Sequence, residues 1–295
     1  MKKLITGITL TFALAFMLPQ AGSANVGINE KFGLPIVVYG DNLSDAEKES
    51  VAKELDVAGE AEVEEIEVTG QDLVTYIKDG DSRARMYSSA KITRKDAGAG
   101  LVIEIVTPDN ITQVTNEMYA NAMLTAGIED ATVEVAAPRP VTGHSALVGI
   151  YKAYEVNGEQ LDPERTDVAN DELSVATEIA DSGVEDAKVS ELLTEIKKQI
   201  AEQDPATKEE VQKIVEEQLT KLQIELSPED RQLLVDLMDR IRKLDIDFSK
   251  WSTQLEDLSK TIEDKIGTVV NDEGFWQSVK NFFNKLIDGI RGLVS

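Results

Sequence analysis

The hydrophobic periodicity of this chain changes near residue 160, and that change limits the folds it can adopt. Before it, strand-like segments alternate with segments of helical spacing, as in Pro35–Gly40 followed by Ser44–Leu55. After Leu161 the periodic stretches have helical spacing only, for example Val184–Glu202. We therefore predict an α+β or α/β N-terminal domain followed by an all-α helical C-terminal region.

This change of pattern, together with the two ends of the chain, divides the sequence into four predicted parts. They are a secretory signal peptide (1–24), an α/β domain of unknown function (25–160), a helical bundle or appendage (161–274) and a C-terminal amphipathic helix (275–295). The two central parts are each long enough to bury a core of their own, because many folded domains have 100 to 150 residues.

The first part has the order of charges and apolar residues that export signals share. Lys2 and Lys3 precede the mostly apolar run Leu4–Leu18, and small residues follow as far as Ala24. The run is shorter than the ~20 residues that a membrane-spanning helix needs. We expect cleavage near Ala24 and a protein that is secreted or associated with the cell envelope.

Two strand-like segments of the first half are separated only by a turn. Residues alternate between two faces in Met86–Thr93, and a second apolar segment, Leu101–Val106, begins after the glycines of Asp96–Gly100. We interpret the two segments as a β-hairpin with a longer loop.

The composition excludes several kinds of chemistry. The chain has no cysteine and one histidine, His144, so Cys/His zinc sites, thiol proteases and disulfide frameworks cannot be assembled. With 30 Lys+Arg against 55 Asp+Glu, the net charge is −25, which would repel a phosphate backbone. We expect no nucleic-acid partner, and we predict no cofactor and no metal site.

Two patterns in the sequence resemble catalytic motifs but have simpler structural explanations. Gly143–Leu147 begins like a nucleophile elbow, but its fifth residue is not glycine, and the sole histidine is the neighbour of Ser145. A helix cap by Thr142 or Ser145 explains the motif better. A carboxylate pair needs only two acids, and nothing in the sequence selects one pair. We predict no catalytic residue and favour a non-enzymatic binding or structural protein, with an extracellular carboxylate-pair hydrolase as the alternative.

Two sets of polar residues are candidates for ligand binding. The first set lies on one face of a predicted strand, where it could receive an anionic polymer or a carboxylate, and comprises Arg85, Tyr87 and Lys91. The second set lies in two loops and comprises Asn110, Thr112, Thr142 and Ser145. The structural alternatives are that the bases balance neighbouring acids and that the loop residues cap helices and form turns.

The segment 275–295 is predicted to be an amphipathic helix. Its apolar residues fall on one face, while Lys280, Lys285 and Arg291 make it net positive in an acidic chain. It could contact a membrane peripherally or bind a partner, and the residues proposed for that contact are Phe275, Trp276, Phe282, Phe283, Lys280 and Lys285. It could equally dock on the acidic helices of the second half.

Several longer segments resemble a known family. They are Ser88–Ile92, Thr107–Thr112, Tyr119–Ala122, Val141–Glu155, Leu226–Asp230 and Leu244–Asp247. These segments are similar to the uncharacterised exported bacterial family typified by the YpuA protein of bacilli, a domain-of-unknown-function family. The resemblance implies a Gram-positive, secreted or envelope-associated protein and supplies no catalytic residue. We expect a cell-wall component or an envelope protein as its partner.

Overall fold

The computed structural model describes residues 33–269, without the side chains of residues 248–250 and 264–269. The predicted signal peptide and the segment 275–295 therefore lie outside the described residues. The strands are β1 (Ile36–Gly40), β2 (Glu64–Val68), β3 (Ser89–Arg94), β4 (Leu101–Ile105) and β5 (Ala131–Ala136). The helices are α1 (Asp45–Glu54), α2 (Gly70–Tyr76), α3 (Asn116–Ala126), α4 (His144–Val156), α5 (Pro163–Asp181), α6 (Asp186–Gln203), α7 (Lys208–Lys221), α8 (Pro228–Ile241) and α9 (Phe248–Val269).

The strands form one mixed sheet in the order β2-β1-β3-β5-β4. β1 pairs with β2 and β4 pairs with β5 in parallel, while β3 runs antiparallel to both β1 and β5. Helices α1 and α3 connect the two parallel pairs, so two β-α-β units flank the single antiparallel strand. β2 and β4 are the edges of this sheet.

The predicted hairpin between Met86–Thr93 and Leu101–Val106 is wrong. β5 lies between β3 and β4 and pairs with both of them. Its residues Val133 and Val135 are fully buried, as is usual for a strand that has neighbours on both sides. Both segments form strands, as predicted, but their proximity in sequence indicated the wrong pairing.

The predicted fold class is also wrong, because the chain does not form an N-terminal α/β domain followed by a separate all-α region. The helices surround the five-stranded sheet, and one hydrophobic core extends from the sheet through α3 and α4 into α5, α6 and α9. The cause is α3, in which every residue from Met118 to Ala126 is buried. A helix that is buried all round needs cover on the side away from the sheet, and α5 and α6 provide it.

In the second half of the chain, sequence signals predict where individual helices begin, but they do not predict how the helices pack. Ser227 caps α8 by accepting a hydrogen bond from the Asp230 N–H (3.0 Å), as its sequence pattern predicts. The helix α5 was not predicted, although Asp162 caps it and Pro163 occupies its first turn in the same way. None of the helices within residues 33–269 is both long enough and apolar enough to cross a membrane.

A charged pair lies in the interior, where α3, α5 and α6 meet. The Lys197 Nζ is 2.7 Å from the Glu172 Oε1, and both side chains are almost completely buried. Lys197 also donates to the Asn121 carbonyl (3.0 Å), and the Thr125 hydroxyl donates to Glu172. Burial lowers the pKa of Lys197, and the Glu172 carboxylate opposes that shift. The ammonium lies 5.4 Å from the ring centre of Trp251 on α9.

Candidate functional site

The predicted basic strand does not present Lys91 to a ligand. Only 6% of the Lys91 side chain is exposed, and its Nζ lies 2.6 Å from Glu134 and 3.4 Å from Glu60. The same ammonium donates to the Leu55 carbonyl (2.6 Å). The charge of this lysine therefore balances neighbouring acids, which was the structural alternative to ligand binding.

Arg85 and Tyr87 precede β3 in the chain. Arg85 is exposed, and the half-buried Tyr87 has the guanidinium of Arg139 4.3 Å from its ring centre. Because Lys91 is enclosed, these three predicted residues do not form a shared open face.

The second predicted set is brought together beyond the carboxyl ends of β4 and β5. Asn110 donates to the Ala137 carbonyl (2.8 Å), and Thr112 donates to the Val141 carbonyl (3.0 Å). Thr142 is exposed and Ser145 is half-buried at the start of α4. The loops are thus adjacent, and the hydrogen bonds of Asn110 and Thr112 tie one loop to the other.

The predicted cap of α4 is wrong, because neither Thr142 nor Ser145 provides it. Gly143 occupies the cap position with φ 104°, and no side chain caps the helix. The hydroxyl of Tyr119 donates to the Gly143 carbonyl (2.6 Å), and an added Cβ at this glycine would lie 2.8 Å from the same hydroxyl. The left-handed backbone and the close contact together require glycine here.

An open groove of about 440 Å³ lies beside the edge strand β4, with α3 and α9 as its walls. Its apolar lining comes from Leu101 and Ile103 of β4, Ala120 and Leu124 of α3, and Leu258 of α9. No strand among the described residues pairs with this edge of β4. The groove therefore combines an apolar surface with a free strand edge.

The main chain of β4 is oriented toward the groove at alternate residues. The Ala131 N–H donates to the Gly100 carbonyl (3.2 Å), so the even-numbered residues of this strand face β5. The N–H of Ile105 instead donates to the Asn116 Oδ1 of α3 (3.0 Å), which already replaces one contact of a neighbouring strand. By the same alternation, the main-chain groups that face the groove belong to Leu101 and Ile103.

The polar groups of the groove favour hydrogen-bond donors and positive charge. The Gln254 Oε1 is buried and has no hydrogen-bond partner among the described residues. Glu117 and Asp257 also line the groove, and none of its described lining residues is basic. A buried acceptor without a donor is costly, so this amide oxygen is a position where a bound molecule would donate.

Two carboxylates on α6 have their pKa values moved apart, which is a pattern that acid–base catalysis uses. Burial, and then the charge of Glu195, raises the pKa of Glu191 to about 7. Burial also acts to raise the pKa of Glu195, but Lys198 and Lys221 outweigh it and the net shift is downward. Neither glutamate lines the groove, and the part of the chain described here contains no metal-binding cluster.

Sequence reasoning missed the groove because its walls come from segments more than a hundred residues apart. The predicted hairpin of Met86–Thr93 with Leu101–Val106 gives β4 the wrong neighbour, so it does not indicate which edge of β4 is open. One local signal was present in α9: the groove-lining positions Gln254, Leu258 and Thr261 have the spacing of one helix face.

Comparison with known proteins gives a consistent result. Residues 39–258 match the family model described as Protein of unknown function (DUF1002). The chain is 33% identical to the uncharacterized protein YpuA of Bacillus subtilis (strain 168), over 98% of this chain and 95% of that protein. No solved structure gives a significant match. These findings confirm the resemblance deduced from the sequence, and the chain belongs to the DUF1002 family of proteins of unknown function.

Proposed function

We propose that this protein is a non-enzymatic binding protein of the cell envelope, and that the groove beside β4 binds an extended segment of an envelope protein. In this mode the segment adds to the sheet as a further strand next to β4. The observation that carries the proposal is the set of main-chain groups of Leu101 and Ile103 that face an apolar groove.

The dimensions of the groove suit a short strand. β4 has five residues and is about 16 Å long at ~3.3 Å per residue, so it offers pairing to a segment of similar length. Side chains of an added strand would alternate between the apolar lining and solvent. The groove would thus select apolar residues at every second position, while the main-chain hydrogen bonds would be independent of sequence.

The charge of the groove distinguishes between the two kinds of partner expected from the sequence. An anionic cell-wall polymer would meet a lining that contains the carboxylates of Glu117 and Asp257 and, among its described residues, no base; Lys260, whose Nζ lies 3.8 Å from the Asp257 carboxylate, is outside that lining. A polypeptide supplies main-chain N–H donors and basic side chains, which suit those carboxylates and the Gln254 Oε1. A protein segment is therefore the better partner for this site.

Export is the second part of the proposal, and the pattern of residues 1–24 supports it. When the full chain is produced in a Gram-positive host, we expect N-terminal sequencing of the extracytoplasmic fraction to begin at Asn25. A Leu10→Arg variant interrupts the apolar run and should remain in the cytoplasm with its N-terminus intact. Recovery of the parent chain in the cytoplasm with residues 1–24 attached would contradict export.

Strand addition predicts that peptide binding depends on one N–H of β4. Peptides would be selected from a displayed library of random dodecapeptides with residues 25–295 as the target. Ile103→Pro removes a donor that faces the groove, and proline is tolerated on the open side of an edge strand. We expect the selected peptides to bind this variant at least ~10-fold more weakly than Ile103→Val, because a hydrogen bond worth about 1.5 kcal/mol is lost.

The valine variant is the matched control, since it also shortens the side chain but retains the N–H. Binding would be measured by fluorescence anisotropy, and circular dichroism would show that both variants are folded. If no peptide is enriched, or if the proline and valine variants bind equally well, the proposed mode of binding is wrong.

A further inference from the structure

We infer that the attachment of α9 to α6 depends on pH, so that the groove wall formed by α9 is held in place under acidic conditions and loosens under alkaline conditions. The inference goes beyond the proposed function, because the attachment of α9 can be measured without a partner. It is carried by the lysines near the contact of the two helices and by three glutamates there, Glu191 and Glu195 of α6 and Glu263 of α9.

Two contacts show how α6 and α9 lie against each other. The Ser259 hydroxyl donates to the Glu195 Oε1 (3.0 Å), and the charge of Glu263 acts on Glu191. Along α6, Glu191 precedes Glu195 by about one turn. Along α9, Glu263 follows Ser259 by the same distance. The helices therefore run antiparallel here, and two like charges oppose each other, one on each helix.

Two lysines of this region are already paired with Glu195. The Lys198 Nζ lies 2.8 Å from its Oε1, and the Lys221 Nζ of α7 lies 3.2 Å from its Oε2. Among the side chains that the structure describes, no basic nitrogen lies within 4.0 Å of the half-buried Glu191 carboxylate. Within that part of the chain, Glu191 thus has an opposing like charge and no ion pair of its own.

Protonation of Glu191 removes the repulsion between the two helices. The charged groups that act on this carboxyl are Glu195 and Lys188 of its own helix, Lys221 of α7 and Glu263 of α9. Burial, and then the charge of Glu195, raises the pKa of Glu191 to about 7, so the docked state retains a proton near neutral pH. When α9 detaches, water reaches the carboxyl and its pKa returns toward the ordinary value.

The direction of the pH effect follows from this difference in proton binding. Between the ordinary pKa of a glutamate and about 7, the docked state binds more protons than the detached state, so docking weakens as the pH rises. At lower pH both states are protonated and docking keeps its full strength. From about pH 5.5 to about pH 8, we expect the equilibrium constant for detachment of α9 to increase at least ~10-fold.

Hydrogen exchange in α9 measures this detachment. Residues 25–295 of the parent and of the Glu191→Gln variant would be compared by mass spectrometry at both pH values. Glutamine is neutral at either pH, so its detachment should not respond to this titration. Intrinsic amide exchange is the same in both chains at a given pH, and the ratio of their rates in α9 therefore reports the carboxyl alone. We expect that ratio, parent over variant, to be at least ~10-fold larger at about pH 8.

Two further variants serve as controls. Glu217→Gln makes the same change of charge at an exposed position of α7, and its ratio to the parent should not change with pH. Glu263→Gln removes the opposing charge on α9 and should slow the exchange of α9 at about pH 8 relative to the parent. Circular dichroism would show that all three variants are folded.

Three results would overturn the inference. The first is a ratio of parent to Glu191→Gln that is equal at both pH values. The second is a Glu217→Gln variant that reproduces the effect, since net charge would then be the cause. The third is parental exchange at about pH 8 in Glu263→Gln, which would show that α9 supplies no opposing charge. Because no peptide is present, each of these results leaves the proposed function intact, and failure of the peptide selection leaves this inference intact.

Discussion

Replacing Lys197 by methionine is expected to lower the free energy of unfolding by about 3–5 kcal/mol. The substitution leaves the carboxylate of Glu172 buried without its counter-ion, because both side chains lie almost completely inside the protein. An uncompensated charge in the interior costs more than the pair itself contributes. Urea unfolding followed by circular dichroism at pH 7 would measure the change.

Two further variants test whether burial is the cause. Removing both charges with Lys197→Met/Glu172→Gln should recover at least half of the lost stability, because no charge is then left alone. Lys260→Met breaks an exposed ion pair with Glu256 and should leave the urea midpoint unchanged. A loss below about 1 kcal/mol for Lys197→Met would show that water reaches this pair in solution.

Replacing Trp251 by alanine should cost about 3–5 kcal/mol, the range measured for large aromatic residues in protein cores. Trp251 is 1% exposed and is the largest side chain among those fully buried in the described chain. It anchors α9, which packs mainly on α6 and also forms one wall of the groove. We therefore expect weaker peptide binding and faster hydrogen exchange in α9 as well as a lower urea midpoint.

The matched control is Leu233→Ala on α8, because that leucine is 39% exposed and should change stability by no more than about 0.5 kcal/mol. If Trp251→Ala unfolds at the parent midpoint, α9 is not part of the cooperative core. If it lowers the midpoint but peptide binding at low temperature is retained, α9 is dispensable as a groove wall.

Local patterns predicted most of the individual elements of this fold. The cap at Ser227 and the proline after it predict the start of α8, and the pattern of Pro35–Gly40 predicts the strand β1. These signals work because caps and periodicity act over a few residues. Asp162 followed by Pro163 is the same kind of signal and marks the start of α5, which lacks a prediction above.

The pairing of strands and the burial of side chains could not be predicted from local patterns. Lys91 was expected on an open face, but acids from two other segments enclose it. The strand β4 pairs with β5, which follows it in the sequence. One wall of the groove is formed by α9, about 150 residues after β4. Such contacts depend on tertiary packing, which the pattern of a single segment does not specify.

The insertion of β5 between β3 and β4 has a consequence for how the protein folds. Synthesis proceeds from the N-terminus, so β3 and β4 are made before their shared neighbour and must stay two strand spacings apart, about 10 Å, until it arrives. During that interval β4 is unpaired on both sides, and premature closure of the local turn would trap a hairpin that has to reopen. We expect slow folding kinetics, with aggregation arising mainly from chains that have not yet placed β5.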